Sequence, residues 1–423
     1  MFTAIATLAI FVATLMLIML RPYGITESAA AIIGAVLMLL FRSIDFNDMI
    51  LVTSRQWNVY GFFLGLMTIS ALADRAGVFE WLAYRAGRWA GGSAMRLYLA
   101  VFAIGTLITT FQSNDATALI LTPIVFALVT RLNLAVLPFM FACTFIADTA
   151  SFMLPVSNPI NILILDAFGS DLATFLRYML LPSVFCVLAN TAAFAWLFRH
   201  DLRQRYNMGE LQPVRPPNER FFRFTLMVLG LVGIAYIVAS ALHIPLSLVA
   251  LSGAGLLLSG AAYYHCLEWP TLRREISWSL FVFITGMFLV VRGVEKIGLT
   301  AMFGNGMLAL AGTSPLQAAL VAAGGTALGA NLINNVPMTL VMISALRGMQ
   351  AAPLIRETMV YATMFGADLG PNLTTVGSLA TILWIVILRR KGLEISPRSY
   401  VRLGVLVVPL MIAVGSFFIA MRP

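Results

Sequence analysis

The chain has 423 residues, of which 60% are apolar and only 11% are charged, and its formal net charge is +9. Soluble domains carry about 25% charged residues, so this composition excludes an ordinary soluble protein and indicates a polytopic membrane protein. The apolar runs are continuous rather than alternating, which predicts that the spans are α-helices. The positive charge mostly reflects arginines in connections that set membrane topology, and nucleic-acid binding is not expected.

The first apolar segment, residues 2–20, is predicted to be a retained span. No basic residue precedes it, and Arg21-Pro22 follows where a signal peptide would have small residues. Further apolar segments occur near 24–41, 57–73, 97–112, 116–130, 135–155, 172–198, 221–242, 244–264, 278–294, 315–332, 336–346, 357–388 and 400–421. The cysteines and histidines show no spacing typical of a disulfide framework or a metal site, so we expect neither metal nor other cofactor.

Two pairs of apolar segments are interrupted by short polar tips, Ser113-Asn114-Asp115 and Asn334-Asn335-Val336-Pro337. We predict that each pair is a re-entrant hairpin whose tip reaches the bilayer interior, at 97–131 and 315–348. The stretches 135–168 and 357–388 are predicted to be single spans broken by runs of Pro, Asn, Gly and Ser. The fold class is therefore an all-α polytopic membrane protein with about ten transmembrane helices and two re-entrant hairpins.

The polar motifs occur twice along the chain. Adding 220 to Asp148 gives Asp368, and the same offset relates Asn114-Asp115 to Asn334-Asn335. Five predicted spans separate corresponding elements, and this odd number predicts two inverted repeats with broken helices, an arrangement typical of secondary transporters. The predicted units are N-terminal spans 1–56, a first repeat 57–198, a linker 199–223, connecting spans 224–277 and a second repeat 278–423.

Basic residues are concentrated in alternate connections, above all in the linker. This bias predicts a cytoplasmic linker and both termini outside. Two adjacent charge pairs, Asp74-Arg75 and Glu295-Lys296, are interpreted as interfacial ion pairs.

A broken helix leaves backbone N–H and C=O groups without partners, so the polar runs should face a hydrated cavity. No Arg or Lys lies near these motifs, which favours a neutral polyhydroxy solute, although half-helix N-termini could also hold a dicarboxylate or oxyanion. The candidate substrate-binding residues are Asn114, Asp115, Thr117, Ser151, Ser157, Asn158, Asn334, Asn335, Asn372, Thr374, Thr375 and Ser378.

Three intramembrane carboxyls, Asp115, Asp148 and Asp368, are the candidate proton-coupling groups. Burial disfavours a charged carboxylate, so such groups can exchange protons during transport. Asp148 and Asp368 could instead brace the broken helices by accepting backbone hydrogen bonds. Asp115 differs, because its counterpart Asn335 cannot titrate.

At these motifs the chain resembles the arsenite efflux permease (ArsB) family of the ion-transporter superfamily. The similarity extends essentially from end to end, and its blocks are Asn114 to Val125, Phe145 to Ser151, Val156-Ser157-Asn158, Asn334 to Pro337, Asp368 to Pro371 and Gly377 to Thr381. Pro159 after Asn158 departs from the family pattern. The resemblance implies a bacterial inner-membrane protein that exports arsenite and antimonite as neutral trihydroxides in exchange for protons, with a cytosolic arsenite-stimulated ATPase as a possible partner.

Other functions remain open from the sequence. A sodium/proton antiporter or a sodium-coupled carboxylate carrier would have the same architecture, and a passive channel would need no coupling group. An intramembrane aspartyl protease could use Asp148 and Asp368 as a dyad, but Gly366-Ala367-Asp368 lacks the expected second glycine. No HExxH or GxSxG element is present, so a secondary transporter rather than an enzyme is predicted.

Overall fold

The described part of the chain forms two successive sets of ten α-helices. The computed structural model describes residues 2–242 and 244–422, excluding the side chains of Arg55, Ser240 and Leu379. The first ten helices are α1 (Phe2–Leu20), α2 (Glu27–Leu40), α3 (Phe46–Arg55), α4 (Trp57–Arg75), α5 (Val78–Trp89), α6 (Ala94–Phe111), α7 (Asn114–Arg131, with a π-helical turn at Thr117–Leu121), α8 (Val136–Thr149), α9 (Pro159–Phe168) and α10 (Leu172–Leu197). The second ten are α11 (Glu219–Ala241), α12 (Leu246–Tyr263), α13 (Trp269–Glu275), α14 (Trp278–Lys296), α15 (Leu299–Ala311), α16 (Pro315–Ile333), α17 (Asn335–Arg347), α18 (Pro353–Leu369), α19 (Leu379–Arg390) and α20 (Pro397–Ala420).

Local sequence signals explain several helix boundaries. The hydroxyl oxygens of Ser93 and Ser314 accept the backbone N–H of residues three positions later, which caps α6 and α16. Gly77 and Gly298, 221 residues apart, have φ angles of 81° and 80° at the turns α4–α5 and α14–α15. Glycine adopts this left-handed conformation without the strain that a Cβ would add, so both copies turn in the same way.

The all-α polytopic fold class is confirmed. In residues 2–242 and 244–422, nine helices are long and apolar enough to cross a membrane, or ten if the bent pair α4–α5 is one span. Three predicted hairpin arms, α6, α7 and α16, are among the nine, so length and apolarity alone do not separate spans from re-entrant segments. The assignment of hairpins and unit boundaries therefore stays a prediction.

Corresponding helices α4 and α14 lie side by side and run antiparallel. Tyr60 and Thr285 share a hydrogen bond of 2.7 Å, whereas Phe63, one turn later in α4, contacts Phe281, one turn earlier in α14. This opposite chain direction agrees with the inverted arrangement of the two repeats.

The helices that precede each repeat pack against the repeat in the other half of the chain. A Cβ added to Gly65 of α4 would lie 2.7 Å from the Ala250 Cβ of α12. A Cβ added to Gly286 of α14 would lie 2.9 Å from the Ala31 Cβ of α2. Because α2 packs on α14 while α12 packs on α4, we infer that α1–α3 and α11–α13 are also related copies.

Close backbone packing also joins α16 to α18. A Cβ on Gly366 would lie 2.2 Å from the Ala323 carbonyl oxygen, whereas a Cβ on Gly324, next along α16, would meet nothing within 4 Å. We expect Gly366→Ala to destabilise the protein by about 1–3 kcal/mol, because backbone cannot move aside as a side chain can. Gly324→Ala should leave stability unchanged or raise it by up to about 1 kcal/mol. Thermal unfolding in detergent measures both, and equal melting temperatures for the two variants would contradict this packing.

The ion pairs expected within Asp74-Arg75 and within Glu295-Lys296 are replaced by pairs with residues on other elements. Arg75 pairs with Glu268, while Lys296 pairs with Asp48 at 2.6 Å and with Asp45 at 3.4 Å. Sequence neighbours on a helix point about 100° apart, so each charge reaches a partner on another element instead.

A charged cluster ties α3 to the end of α14. Asp48 receives bonds from Lys296 and Arg292, and Arg292 also binds Glu295 at 2.9 Å. Burial would raise the pKa of Asp48, but hydrogen bonds from Lys296, the Asp45 backbone and Arg292 lower it to about 2.

The pH response of this cluster has a definite sign. A depressed carboxyl pKa contributes stability that is present above about pH 4 and is lost as the pH falls towards 2. We therefore expect Asp48→Asn to lower the unfolding temperature at pH 7 and to have little effect near pH 2. The exposed Asp166→Asn, measured in parallel, is the control. A temperature difference between wild type and Asp48→Asn that stays constant over this window would contradict the assignment.

Candidate functional site

Two helical stretches are interrupted in the interior of the protein. One break separates α8 from α9 and contains a 3₁₀ turn at Pro155–Ser157. The other separates α18 from α19 and contains a 3₁₀ turn at Gly370–Leu373. The N-termini of α9 and α19 present free N–H groups and the positive ends of helix dipoles, so each break offers an electropositive point without a charged residue.

The residues that cap these half-helices correspond to each other at an offset of 220. The Asn158 side chain accepts the Ile160 N–H at 3.1 Å, and the Ser378 hydroxyl accepts the Ala380 N–H at 3.2 Å. Both caps are almost fully buried.

Asp368 lies opposite the N-terminus of α9, which belongs to the other half of the chain. The Asn158 amide donates a hydrogen bond of 2.5 Å to the Asp368 Oδ1. The side chains of Ser151 and Asn161 also face this carboxyl. Asp368 is therefore held by polar groups from the first repeat.

Asp148 has the reciprocal position at the N-terminus of α19. The side chains of Ser378, Thr381 and Asn114 face its carboxyl, yet neither carboxyl oxygen meets hydrogen-bond geometry with a protein group. The residue is 1% exposed. Since an unpartnered buried carboxylate is costly, a proton or water is expected to satisfy these oxygens.

The two carboxyls thus form a crossed arrangement. The acid at the end of the first half-helix in each repeat faces the second half-helix of the other repeat, and Asn161 and Thr381 occupy equivalent positions. Asp148 interacts electrostatically with both Asp115 and Asp368.

The polar tips α6–α7 and α16–α17 meet this centre. Asn114 begins α7, and its side chain accepts the Asp115 N–H at 3.0 Å. Asn334 has a φ angle of 72°, and the following Asn335 N–H donates to the Gly377 carbonyl at 3.1 Å. The second tip is therefore attached directly to the second break.

A small cavity of about 30 Å³ lies where the tips and breaks converge. Its polar lining comes from Asn114, Asp115, Asn158, Asn335 and Ser378, all of them predicted site residues. This volume accommodates little more than one water, so a larger solute requires the tips or half-helices to separate. Among the described residues that line it there is no Arg or Lys.

A family model described as the arsenical pump membrane protein matches residues 6–421. The chain belongs to this family. It is 34% identical to the arsenical pump membrane protein of Escherichia coli (strain K12), over 98% of each chain. It is 27% identical to the putative arsenical pump membrane protein of Bacillus subtilis (strain 168), over 96% of each chain.

The fold is also similar to a solved transporter. The crystal structure of the Alcanivorax borkumensis YdaH transporter, which is described as having an unusual topology, matches with a TM-score of 0.56 at 13% identity. The match covers 87% of this chain and 86% of that one. The likeness supports the transporter fold of this arsenical pump family member.

Several predicted site residues of this family member lie beside the centre and bond to nearby groups. Thr117 bonds to Thr109 at 2.7 Å, and the Ser157 hydroxyl donates to the Thr110 carbonyl at 3.0 Å. Ser151 donates to the Asp148 carbonyl oxygen at 2.7 Å, in addition to facing Asp368. These three residues brace the first break and its hairpin.

The second break is braced in a similar way. Asn372 donates to the Thr149 hydroxyl and the Phe145 carbonyl, both at 3.2 Å, and Thr374 donates to Asn331 at 2.6 Å. Thr375 is half-buried and does not line the central cavity. The structure therefore brings the tip and cap residues together and places the remainder around them.

Other residues of the site were absent from the candidate set. Asn161 and Thr381 face the two carboxyls, and Asn331 binds the Gly370 carbonyl at 2.7 Å. Asn190 donates to Thr149 at 2.8 Å. The signal that could have found Asn190 is an amide within an otherwise apolar span, and the signal for Asn161 and Thr381 is their shared offset of 220.

No metal centre accompanies these groups in the described part of the chain, where no group of three or more His, Cys, Asp or Glu could hold an ion. The polar groups at the site are amides, hydroxyls, helix termini and carboxyls.

Proposed function

We propose that the protein is a secondary active transporter that exports arsenite and antimonite as neutral trihydroxides in exchange for protons. The main observation behind this proposal is the crossed pair of carboxyls at two half-helix N-termini. Beside them lies a cavity whose lining includes amides and a hydroxyl. Membership of the arsenical pump family supplies the substrate class. A trihydroxide donates and accepts hydrogen bonds, so amides and hydroxyls suit it without a fixed cation.

The proposed cycle assigns distinct roles to the three acids. Asp115 borders the central cavity and is only half-buried, so water can reach it, and substrate can do so once the tips or half-helices separate. Asp148 has two unpartnered oxygens and interacts with Asp115, so the two form the proton-carrying pair. Asp368 is held by Asn158 and acts mainly as a brace.

Charge compensation explains why exchange is favoured. With the site facing the cytoplasm, substrate loads beside an ionised acid, and the substrate hydroxyls donate hydrogen bonds that stabilise the carboxylate while the loaded site crosses. On the outward side, substrate leaves and a proton binds. A protonated site crosses the low-dielectric barrier more cheaply than a bare carboxylate, so an empty, unprotonated return is suppressed.

Everted vesicles containing the protein test this function. An acidic lumen should drive radioarsenite accumulation, and a protonophore should abolish it. Each coupled proton contributes about 1.4 kcal/mol per pH unit, or about a tenfold concentration ratio. Accumulation that follows a sodium gradient instead would favour a sodium-coupled transporter, and transport insensitive to both gradients would favour a channel. Adding a cytosolic arsenite-stimulated ATPase and ATP tests the predicted partnership.

The proposed site uses no thiol. Cys143 is fully buried and does not line the central cavity. Although trivalent arsenic binds thiols, a tight adduct would slow release, so Cys143→Ala is expected to keep export within about twofold of wild type. The same vesicle assay measures this rate, and loss of gradient-driven accumulation in a folded Cys143→Ala protein would show that a thiol takes part.

A further inference from the structure

The central cavity adjoins a larger space at one end of the protein. This space, the acidic vestibule, has a volume of about 320 Å³ and is lined by Ser70, Asp74, Asp115, Glu275 and Ser277 among others. It shares Asp115 and Pro159 with the central cavity. The vestibule and the central cavity are therefore adjacent.

The equivalent space at the other end of the protein does not reach the site. This opposite pocket has a volume of about 170 Å³, and its lining includes Gln56, Val291, Arg292, Glu295 and Arg347. It shares no residue with the central cavity.

The three spaces follow one another along α14. Leu280 lines the vestibule and the central cavity, Ile284 lines the central cavity, and Phe288 lines the opposite pocket. Four residues rise about 6 Å along a helix, so these residues mark successive levels of one route. The vestibule on the Asp74 side adjoins the central cavity, whereas the described lining of the opposite pocket has no residue in common with that cavity.

The repeats differ in sequence at the two ends of the route, so the vestibule and the opposite pocket differ in charge. At an offset of 221, Ala71 in the vestibule corresponds to Arg292 in the opposite pocket. The described vestibule lining contains three acids and no basic residue, and Asp74 also interacts with Glu80. Arg75 pairs with Glu268 and also attracts Glu275, whereas the charged groups that act on Asp74 are the acids Glu275 and Glu80. Arg292 and Lys296 neutralise the acids at the other end.

We propose that the acidic vestibule is the entrance from which solute approaches the central site, that solute enters the site itself once the tips or half-helices separate, and that Asp74 and Glu275 exclude anions from the vestibule. The structure also places the entrance beside the linker, because a Cβ on Gly77 would contact Pro217 at 3.2 Å. With the predicted cytoplasmic linker, the vestibule opens to the cytoplasm. A neutral trihydroxide enters freely, whereas an oxyanion is repelled by the field of the carboxylates.

Cysteine labelling at symmetry-related positions tests the entrance. In a background with Cys143→Ala, Cys186→Ala and Cys266→Ser, Ser70→Cys lies in the vestibule and Val291→Cys lies 221 residues later in the opposite pocket. A membrane-impermeant cationic thiosulfonate should modify Ser70→Cys in everted vesicles at least tenfold faster than in right-side-out vesicles. Val291→Cys should show no such preference for everted vesicles. Two results would overturn the proposed entrance. One is an equal preference for everted vesicles at both positions, and the other is a preference for everted vesicles at Val291→Cys but not at Ser70→Cys.

A comparison of reagent charge tests anion exclusion. The cationic reagent should modify Ser70→Cys about tenfold faster than an anionic reagent of similar size, after correction for their rates with a free thiol. The combined change Asp74→Asn and Glu275→Gln should reduce this ratio towards one, while Glu80→Gln, which does not line the vestibule, should reduce it less. A ratio unchanged by the combined variant would overturn the role of these acids.

The statement about solute entry rests on the proposed function, but the labelling measurements do not require transport. Modification of Ser70→Cys should block arsenite accumulation at least tenfold. Full accumulation after complete modification would overturn the route. Failure of the proposed function is distinguishable, because the unmodified cysteine-free protein would then accumulate no arsenite at all.

Discussion

Asp115→Asn is expected to uncouple arsenite export from the pH gradient. The wild-type protein should accumulate substrate about tenfold per coupled proton for each pH unit, whereas the variant should equilibrate near a ratio of one. The physical reason is that an amide cannot carry a proton, although it keeps the size and hydrogen-bonding capacity of the carboxyl. Because the substrate is neutral, exchange of labelled for unlabelled arsenite should persist in the variant.

Position and symmetry both single out Asp115. It lines the central cavity and the acidic vestibule, so it is the carboxyl that connects the site with the entrance. Its counterpart in the second repeat is Asn335, so Asp115→Asn makes the two tips alike in chemistry. Uncoupling on this change would mean that proton coupling depends on the one tip position at which the repeats differ in charge.

A suitable control is Asp166→Asn. Asp166 accepts a hydrogen bond of 2.9 Å from Asn58 at the surface and lines neither the central cavity nor the vestibule. This variant should keep the full accumulation ratio. If Asp115→Asn also accumulated arsenite about tenfold per pH unit, the proton would have to travel on another group, and the assignment of Asp115 would be wrong.

The sequence predicted which polar segments meet, because the offset of 220 relates breaks and tips that are costly in lipid. It did not predict how they meet. Asn158 and Asp368 are 210 residues apart, and their bond crosses between repeats. An internal repeat identifies equivalent positions, but it does not say which copy supplies the groups opposite a given residue.

The distinction between lining and bracing residues was also beyond the sequence. Ser157 and Asn158 are neighbours, yet the Ser157 hydroxyl bonds to backbone groups while Asn158 borders the cavity. Both are small polar residues in the same break, and only the local backbone path decides which one faces the interior space. The sequence did not predict the ion-pair partners for a similar reason. Arg75 pairs with Glu268, which lies almost two hundred residues further along the chain.

The two carboxyls of the crossed arrangement differ in their hydrogen bonding, and this difference supports the distinct roles proposed for them. Asp368 has one oxygen bonded to Asn158, whereas both oxygens of Asp148 lack a protein partner. The equivalent of Asn158 is Ser378, whose shorter side chain caps α19 but does not bond to Asp148. The residue that differs at this one position of the repeat therefore holds Asp368 and leaves Asp148 without that bond, which agrees with the proposed role of Asp148 in proton exchange.

Asn158→Ala should destabilise the protein more than Ser378→Ala, although the two residues occupy equivalent positions. Asn158→Ala removes a helix cap, worth about 1 kcal/mol, and leaves a buried acceptor of Asp368 unsatisfied, which costs about 1–3 kcal/mol more. Ser378→Ala removes only the cap. Thermal unfolding in detergent compares the two. The double variant Asn158→Ala with Asp368→Asn should recover part of the loss, because a neutral amide is cheaper to leave unpaired than a carboxylate. Equal destabilisation by the two alanine substitutions, without recovery in the double variant, would show that the bond between the repeats does not hold Asp368.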